Sequence, residues 1–173
     1  LATNQQTIDL AATGYLVAQP TLPASVAVGN FRLVDGASSV FTVTNTNNAP
    51  GFQELLNASA GATDAGVTLT GNITSLAPGD SSSDMVVGFV AGGAAGPRSG
   101  NASVLLVSDG AGSSGLGLLD LGAATVQVTG TGFNLAAGAT VPSPLTLSNQ
   151  REGGDQVVAL TVTNTGPAGL YTE

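Results

Sequence analysis

Thr42-Val43-Thr44-Asn45-Thr46 recurs unchanged as Thr161-Val162-Thr163-Asn164-Thr165, and this identity belongs to a longer echo. Thr7-Ile8-Asp9-Leu10 is answered by Thr125-Val126-Gln127-Val128, and Thr13-Gly14-Tyr15 by Thr131-Gly132-Phe133. One inserted residue later, Asn30-Phe31-Arg32 meets Asn149-Gln150-Arg151. The repeat spacing is about 118 residues, and the second copy runs to Glu173, opposite Glu54, without counterparts of residues 55–118. Repeats of this kind bury their apolar faces against neighbours, so a partial copy leaves a face uncovered. The pattern points to an array or a polymer rather than a solitary enzyme.

The residue types favour strands. Val, Thr, Ser and Gly abound and strong helix formers are few, which suits a β-rich domain cut up by turns. Period-two alternation marks strands over 6–10 (Ile8 and Leu10 inward), 39–45 (Phe41, Val43), 66–70 (Val67, Leu69), 84–90 (Met85, Val87, Phe89) and 124–128 (Val126, Val128). Val158, Leu160 and Val162 hold the matching face in the second copy. Residues 103–107 are apolar almost throughout and predict a central strand covered on both sides. The expected core is Phe41, Val43, Met85, Val87, Phe89, Val104, Leu106, Val126 and Val128.

Turn signals lie at 45–51, 77–80, 92–100 and 108–115. Phe52, Leu55 and Leu56 fall at i, i+3 and i+4 and predict a helical turn or two that lids one end of the sandwich. The fold class is therefore all-β: an immunoglobulin-like antiparallel β-sandwich repeated in tandem with a period of about 118 residues. Residues 1–12 read as the terminal strand of a preceding unit or an assembly strand, 13–131 as a full sandwich, and 132–173 as a partial second unit.

Missing residue types exclude much chemistry. The chain has no His, Cys, Trp or Lys, so thiolate catalysis, imidazole acid–base work, Schiff bases and His/Cys metal sites are closed to it. A net charge of −8, with Arg32, Arg98 and Arg151 the only cations, offers no footprint for nucleic acid or an anionic membrane. No apolar run is long enough to span a bilayer as a helix. An acidic, lysine-free surface suits secretion. Leu1 is not an initiator methionine and no leader-like segment precedes the fold, so the chain reads as a processed form or a stretch of something longer.

Single candidates reduce to structural roles. Asn45 and Asn164 share the inward parity of their strands, where a side-chain amide satisfies backbone groups at a turn. The Asp109 loop brings one carboxylate, and Asp80 with Asp84 only two, against the cluster that calcium prefers. Glu54 has no partner acid for glycoside hydrolysis, and no serine has a base. Sequons at Asn57, Asn72 and Asn101 are about as many as composition yields by chance. Five Phe and two Tyr barely furnish the core, which leaves few rings to stack on a sugar.

Phe41-Thr42-Val43-Thr44-Asn45-Thr46, Gly51-Phe52-Gln53-Glu54-Leu55-Leu56-Asn57-Ala58, Arg98-Ser99-Gly100, and Ser108-Asp109-Gly110 with Ser114-Gly115-Leu116-Gly117 together resemble the bacterial choice-of-anchor D repeat, related to Hydin-type Ig-like domains. The match resumes at Leu160-Thr161-Val162-Thr163-Asn164-Thr165-Gly166. The resemblance implies secreted or cell-surface bacterial proteins with tandem Ig-like units and C-terminal anchors, though no anchor is visible here. The expected function is an extracellular structural repeat that self-assembles head to tail into a filament, stalk or matrix coat, with Ile8, Leu10, Val158, Leu160 and Val162 as assembly residues. Its expected partners are copies of itself, with no cofactor, no metal and no enzymatic activity. The alternative is a surface adhesion or carbohydrate-binding module that meets surface glycans.

Overall fold

The computed structural model describes residues 6–47, 51–141, 143–149 and 151–173. Residues 1–5 of the expected terminal strand, 48–50 of the expected turn, and 142 and 150 of the expected second unit lie outside the described residues. The strands are β1 (Pro20–Thr21), β2 (Ser25–Arg32), β3 (Ala37–Asn45), β4 (Leu55–Thr63), β5 (Val67–Thr70), β6 (Asn72–Leu76), β7 (Ser81–Phe89), β8 (Gly96–Asp109), β9 (Leu118–Phe133), β10 (Gly138–Val141) and β11 (Thr161–Asn164). One sheet has the order β1-β3-β7-β5, a second β2-β9-β8-β4-β6, and β10 and β11 form a separate pair.

The two larger sheets pack as an immunoglobulin-like sandwich. Their inward positions carry the apolar residues: Val43, Leu56, Met85, Val87, Val104, Val126 and Val128 are wholly shielded, and Phe41, Phe89 and Leu106 nearly so. All nine residues expected in the core are buried there. Phe31 and Phe89 stack at 5.8 Å, and the Arg98 guanidinium caps them, 4.8 Å from the Phe89 ring centre, while its Nη1 donates to the Gly92 carbonyl. A cation over an aromatic face closes the core there without leaving a buried charge unpaired.

Within the sandwich the expected topology needs four corrections. First, β2 runs parallel to β9, with Val26 opposite Val128, so the sandwich is not wholly antiparallel. The chain crosses from one sheet (β1) to the other (β2) through Pro23, which has no N–H to continue a ladder. Second, among the described residues there is no helix: Gln53 bridges to Leu16 and β4 starts at Leu55. The helical spacing of Phe52 and Leu56 arises because Phe52 packs on Tyr15 while Leu56 enters the core. Third, β8 is central in its sheet but covered on one face alone, since Leu105 points outward and is 45% exposed. Fourth, residues 96–100, expected as turn, belong to β8. Gly100 is small there because a Cβ would collide with the Val67 side chain of the facing sheet.

Residues 6–10 form no ladder, contrary to the expected strand. Their sequence counterpart, 124–128, sits in β9 between β2 and β8. That slot is therefore filled by β9 itself. Of the expected second-copy strand, only Val162 lies in β11, while Val158 and Leu160 precede it in unpaired chain.

Candidate assembly surfaces

Asn45 is fully buried at the end of β3. Its Oδ1 accepts from the Gln19 N–H at 3.1 Å, and its Nδ2 donates to the carbonyls of Glu54 (3.2 Å) and Leu76 (3.3 Å). One side chain thus satisfies three backbone groups that leave the ladders at that corner. Asn164 does the same work at the end of β11. Its Oδ1 accepts from Ala137 N–H at 3.0 Å and its Nδ2 donates to the Glu173 carbonyl at 3.3 Å.

The likeness extends around both asparagines. Leu16 exchanges backbone bonds with Phe52 and Glu54, and Asn134 does so with Tyr171 and Glu173. Tyr15 meets Phe52 edge to face at 5.5 Å, as Phe133 meets Tyr171 at 5.8 Å. Asn45 lies opposite Pro20, and Asn164 opposite Gly138. Every one of these pairs obeys the 118-to-119-residue correspondence of the sequence.

The second set also touches the sandwich. Tyr171 packs over Gly96, where a Cβ would stand 3.3 Å from its ring. Arg32, at the end of β2, donates from Nε to both carboxyl oxygens of Glu173 at 3.0 Å. Glu173 raises the Arg32 pKa above its ordinary value, through the hydrogen bond first and its charge second. Nothing in the sequence marks this contact, although both positions fall within the repeat correspondences 32/151 and 54/173.

The expected assembly residues are largely exposed. Ile8 is 80% and Leu10 94% accessible, Leu160 52% and Val162 69%, and Val158 is half-buried. Their sandwich counterparts Val126, Val128, Phe41 and Val43 are all buried. Among the described residues no ladder or bridge joins 6–10 to 158–162.

The acids hold loops. Glu54 is buried, and Ser108 Oγ and Ser114 Oγ each donate to it at 2.7 Å, while Ser108 Oγ accepts from Ala18 N–H at 2.8 Å. Asp109 accepts from Ala111 N–H and from Asn57 Nδ2, and Asp84 from Ser82 Oγ. Among the described residues no three acids gather. Gly110 seals the Glu54 cluster: a Cβ there would press on Ser114 Oγ and lie 2.6 Å from Glu54 Oε1 and 2.9 Å from the Gly117 carbonyl. Gly110→Ala is therefore expected to dislodge the 110–117 loop and cost about 2 kcal/mol, read as a shifted urea midpoint. An unchanged midpoint would mean that the loop is not held through Glu54.

No protein-family model and no curated protein matches the chain. Among solved structures, it is similar to the ASH/PapD-like domain 7 of human CEP192, at 10% identity and TM-score 0.44 over 77% of this chain and 98% of that one. It is also similar to two Caenorhabditis elegans proteins: WR4, an MSP family member (12%, 0.39, covering 68% and 100%), and SSP-19, an MSP-domain protein-like family member (17%, 0.37, covering 60% and 94%). Likenesses this loose carry no argument about function, and the sandwich stands on its own two sheets.

Proposed function

We infer that the chain is an extracellular structural repeat protein, of the choice-of-anchor D kind, whose Ig-like units of about 118 residues join end to end into a filament, stalk or matrix coat. The observation that carries this reading is the duplicated contact set: the asparagine, the aromatic pair and the parallel bridge all recur at one spacing. Residues 13–131 then form a full unit, 132–173 the opening of the next, and 1–12 the close of one before. β9 ends one unit and leads directly into the next through Asn134, so successive units share a strand rather than a linker. Exposed Ile8, Leu10, Leu160 and Val162 supply apolar surface for joining copies.

Electron microscopy and sedimentation of the purified chain test this directly. Ordered, extended assemblies are expected, and deletion of residues 1–12 should leave the β-sheet circular dichroism intact while abolishing them. Identical fibres from the shortened chain would remove the N-terminal segment from the joint.

A further inference from the structure

The Asn-x-Ser/Thr sequences at Asn57, Asn72 and Asn101 are no more numerous than composition yields, but the fold separates them. Asn57 is half-buried on β4 with both ends of its amide engaged. Its Nδ2 donates to Asp109 Oδ2 at 3.1 Å, and its Oδ1 accepts from the Ser75 N–H at 2.7 Å. Asn101 lies on β8, between β4 and β9, and is tied to Asp64. Its Nδ2 and backbone N–H both donate to Asp64 Oδ2, at 3.1 and 2.8 Å. Asn72 differs from both. It opens β6, the outermost strand of the five-stranded sheet, and unlike the other two amides its own makes no hydrogen bond among the described residues.

The backbone presents this tripeptide to water. Asn72 and Thr74 are both exposed, while Ile73 between them is buried in the core, as the alternation of a strand requires. Gly71 precedes it at φ +119°, where the chain crosses from β5 in one sheet to β6 in the other, and a Cβ there would collide with the Asp84 carbonyl. Ser75 follows at φ +54°, so a left-handed residue bounds the tripeptide on each side.

We propose that Asn72 is the attachment point of an N-linked glycan. The donor is an oligosaccharide on a lipid diphosphate, brought by a transferase. Asn72 Nδ2 attacks the anomeric carbon, and the bond from that carbon to the diphosphate oxygen breaks. A carbon–nitrogen bond forms, the amide gives up one proton, and the lipid diphosphate leaves. The Thr74 hydroxyl, two residues on and on the same side of the strand, completes the acceptor sequence that the transferase reads. A glycan at Asn57 would have to part its amide from Asp109 or Ser75, and one at Asn101 would break its hold on Asp64. At Asn72 it disturbs neither. The free side of β6 also carries unpaired backbone donors and acceptors, the kind of edge to which strands of other chains add. A bulky, solvated group rooted beside that edge shields it from lateral pairing.

This proposal takes from the functional reading only the chain's export, and its test separates the two. The chain is purified from the culture medium of the organism that encodes it, and its peptides are sequenced by mass spectrometry. A sugar mass is expected on the peptide carrying Asn72, with Asn57 and Asn101 bare. Asn72→Gln and Thr74→Ala, made in that organism, should each lose the whole sugar mass, and Asn101→Gln should retain it. Both substituted residues of the site are exposed, and circular dichroism verifies the fold of each variant. Secreted chain with Asn72 bare, or a sugar mass that survives Thr74→Ala, overturns the site and leaves export standing. A chain confined to the cytosol with Asn72 bare overturns both.

Discussion

Replacing Phe41 with alanine is expected to lower the unfolding free energy by about 3 to 5 kcal/mol. Phe41 is 4% exposed, lies opposite Met85 in the β3–β7 ladder, and fills the space between the sheets beside Val43 and Val87. Deleting the ring removes its transfer energy and opens a cavity that the surrounding strands, paired on both sides, cannot collapse to fill. Val40 on the same strand points the other way and is 60% exposed, so Val40→Ala should stay within about 0.5 kcal/mol. Urea titration of the two variants, with unchanged slopes, measures the contrast. A loss below about 1 kcal/mol at Phe41 would contradict the packing.

The second large effect is expected at Asn45. Alanine there strands the Gln19 N–H and the Glu54 and Leu76 carbonyls in a corner that water does not reach, at about 1 kcal/mol each, or about 3 in all. Asn164 makes the corresponding bonds to Ala137 and Glu173, but it is exposed, and water can replace what the side chain gave up. Asn164→Ala should therefore cost less than about 1 kcal/mol. Hydrogen exchange gives the residue-level check: the Gln19 amide should lose protection in the first variant, while the Ala137 amide is already poorly protected in the parent chain. Equal losses at the two asparagines would mean that burial does not set their worth.

The core was legible because its strands alternate strictly. Phe41 and Val43, or Met85, Val87 and Phe89, leave no doubt which side faces inward. β2 and β4 were harder to read, since Gly29-Asn30 interrupts one and Asn57-Ala58-Ser59-Ala60-Gly61 carries little apolar contrast along the other. Glycine misled in β8. At Gly100 it answers to the Val67 side chain from the other sheet, a contact between residues far apart in the chain. The spacing of Phe52, Leu55 and Leu56 misled in the opposite direction, because ring packing on Tyr15 mimics a helical stripe. At the expected assembly residues, the apolar alternation placed Ile8, Leu10 and Val162 inward, whereas all three are exposed here. It did not reveal that 6–10 forms no ladder among the described residues, because pairing depends on strands far along the chain, and here β9 takes the place beside β2. The Arg32–Glu173 pair was hidden for the same reason: it joins residues that only the path of β9 brings near.

That path bears on traction. β9 runs from Leu118 to Phe133, paired with β8 along most of its length (with a bulge at Leu121) and with β2 from Gln127 onward, and continues into the Asn134 bridge. A tensile load entering through it acts along the strand's own axis. The hydrogen bonds of both flanking ladders lie across that line, so they are strained together in shear instead of being peeled open in turn. Resistance to such a load is governed by the rate of rupture and not by the equilibrium stability of the sandwich. A fold with few charges and no cysteine can on this account still be stiff along one direction, that of β9.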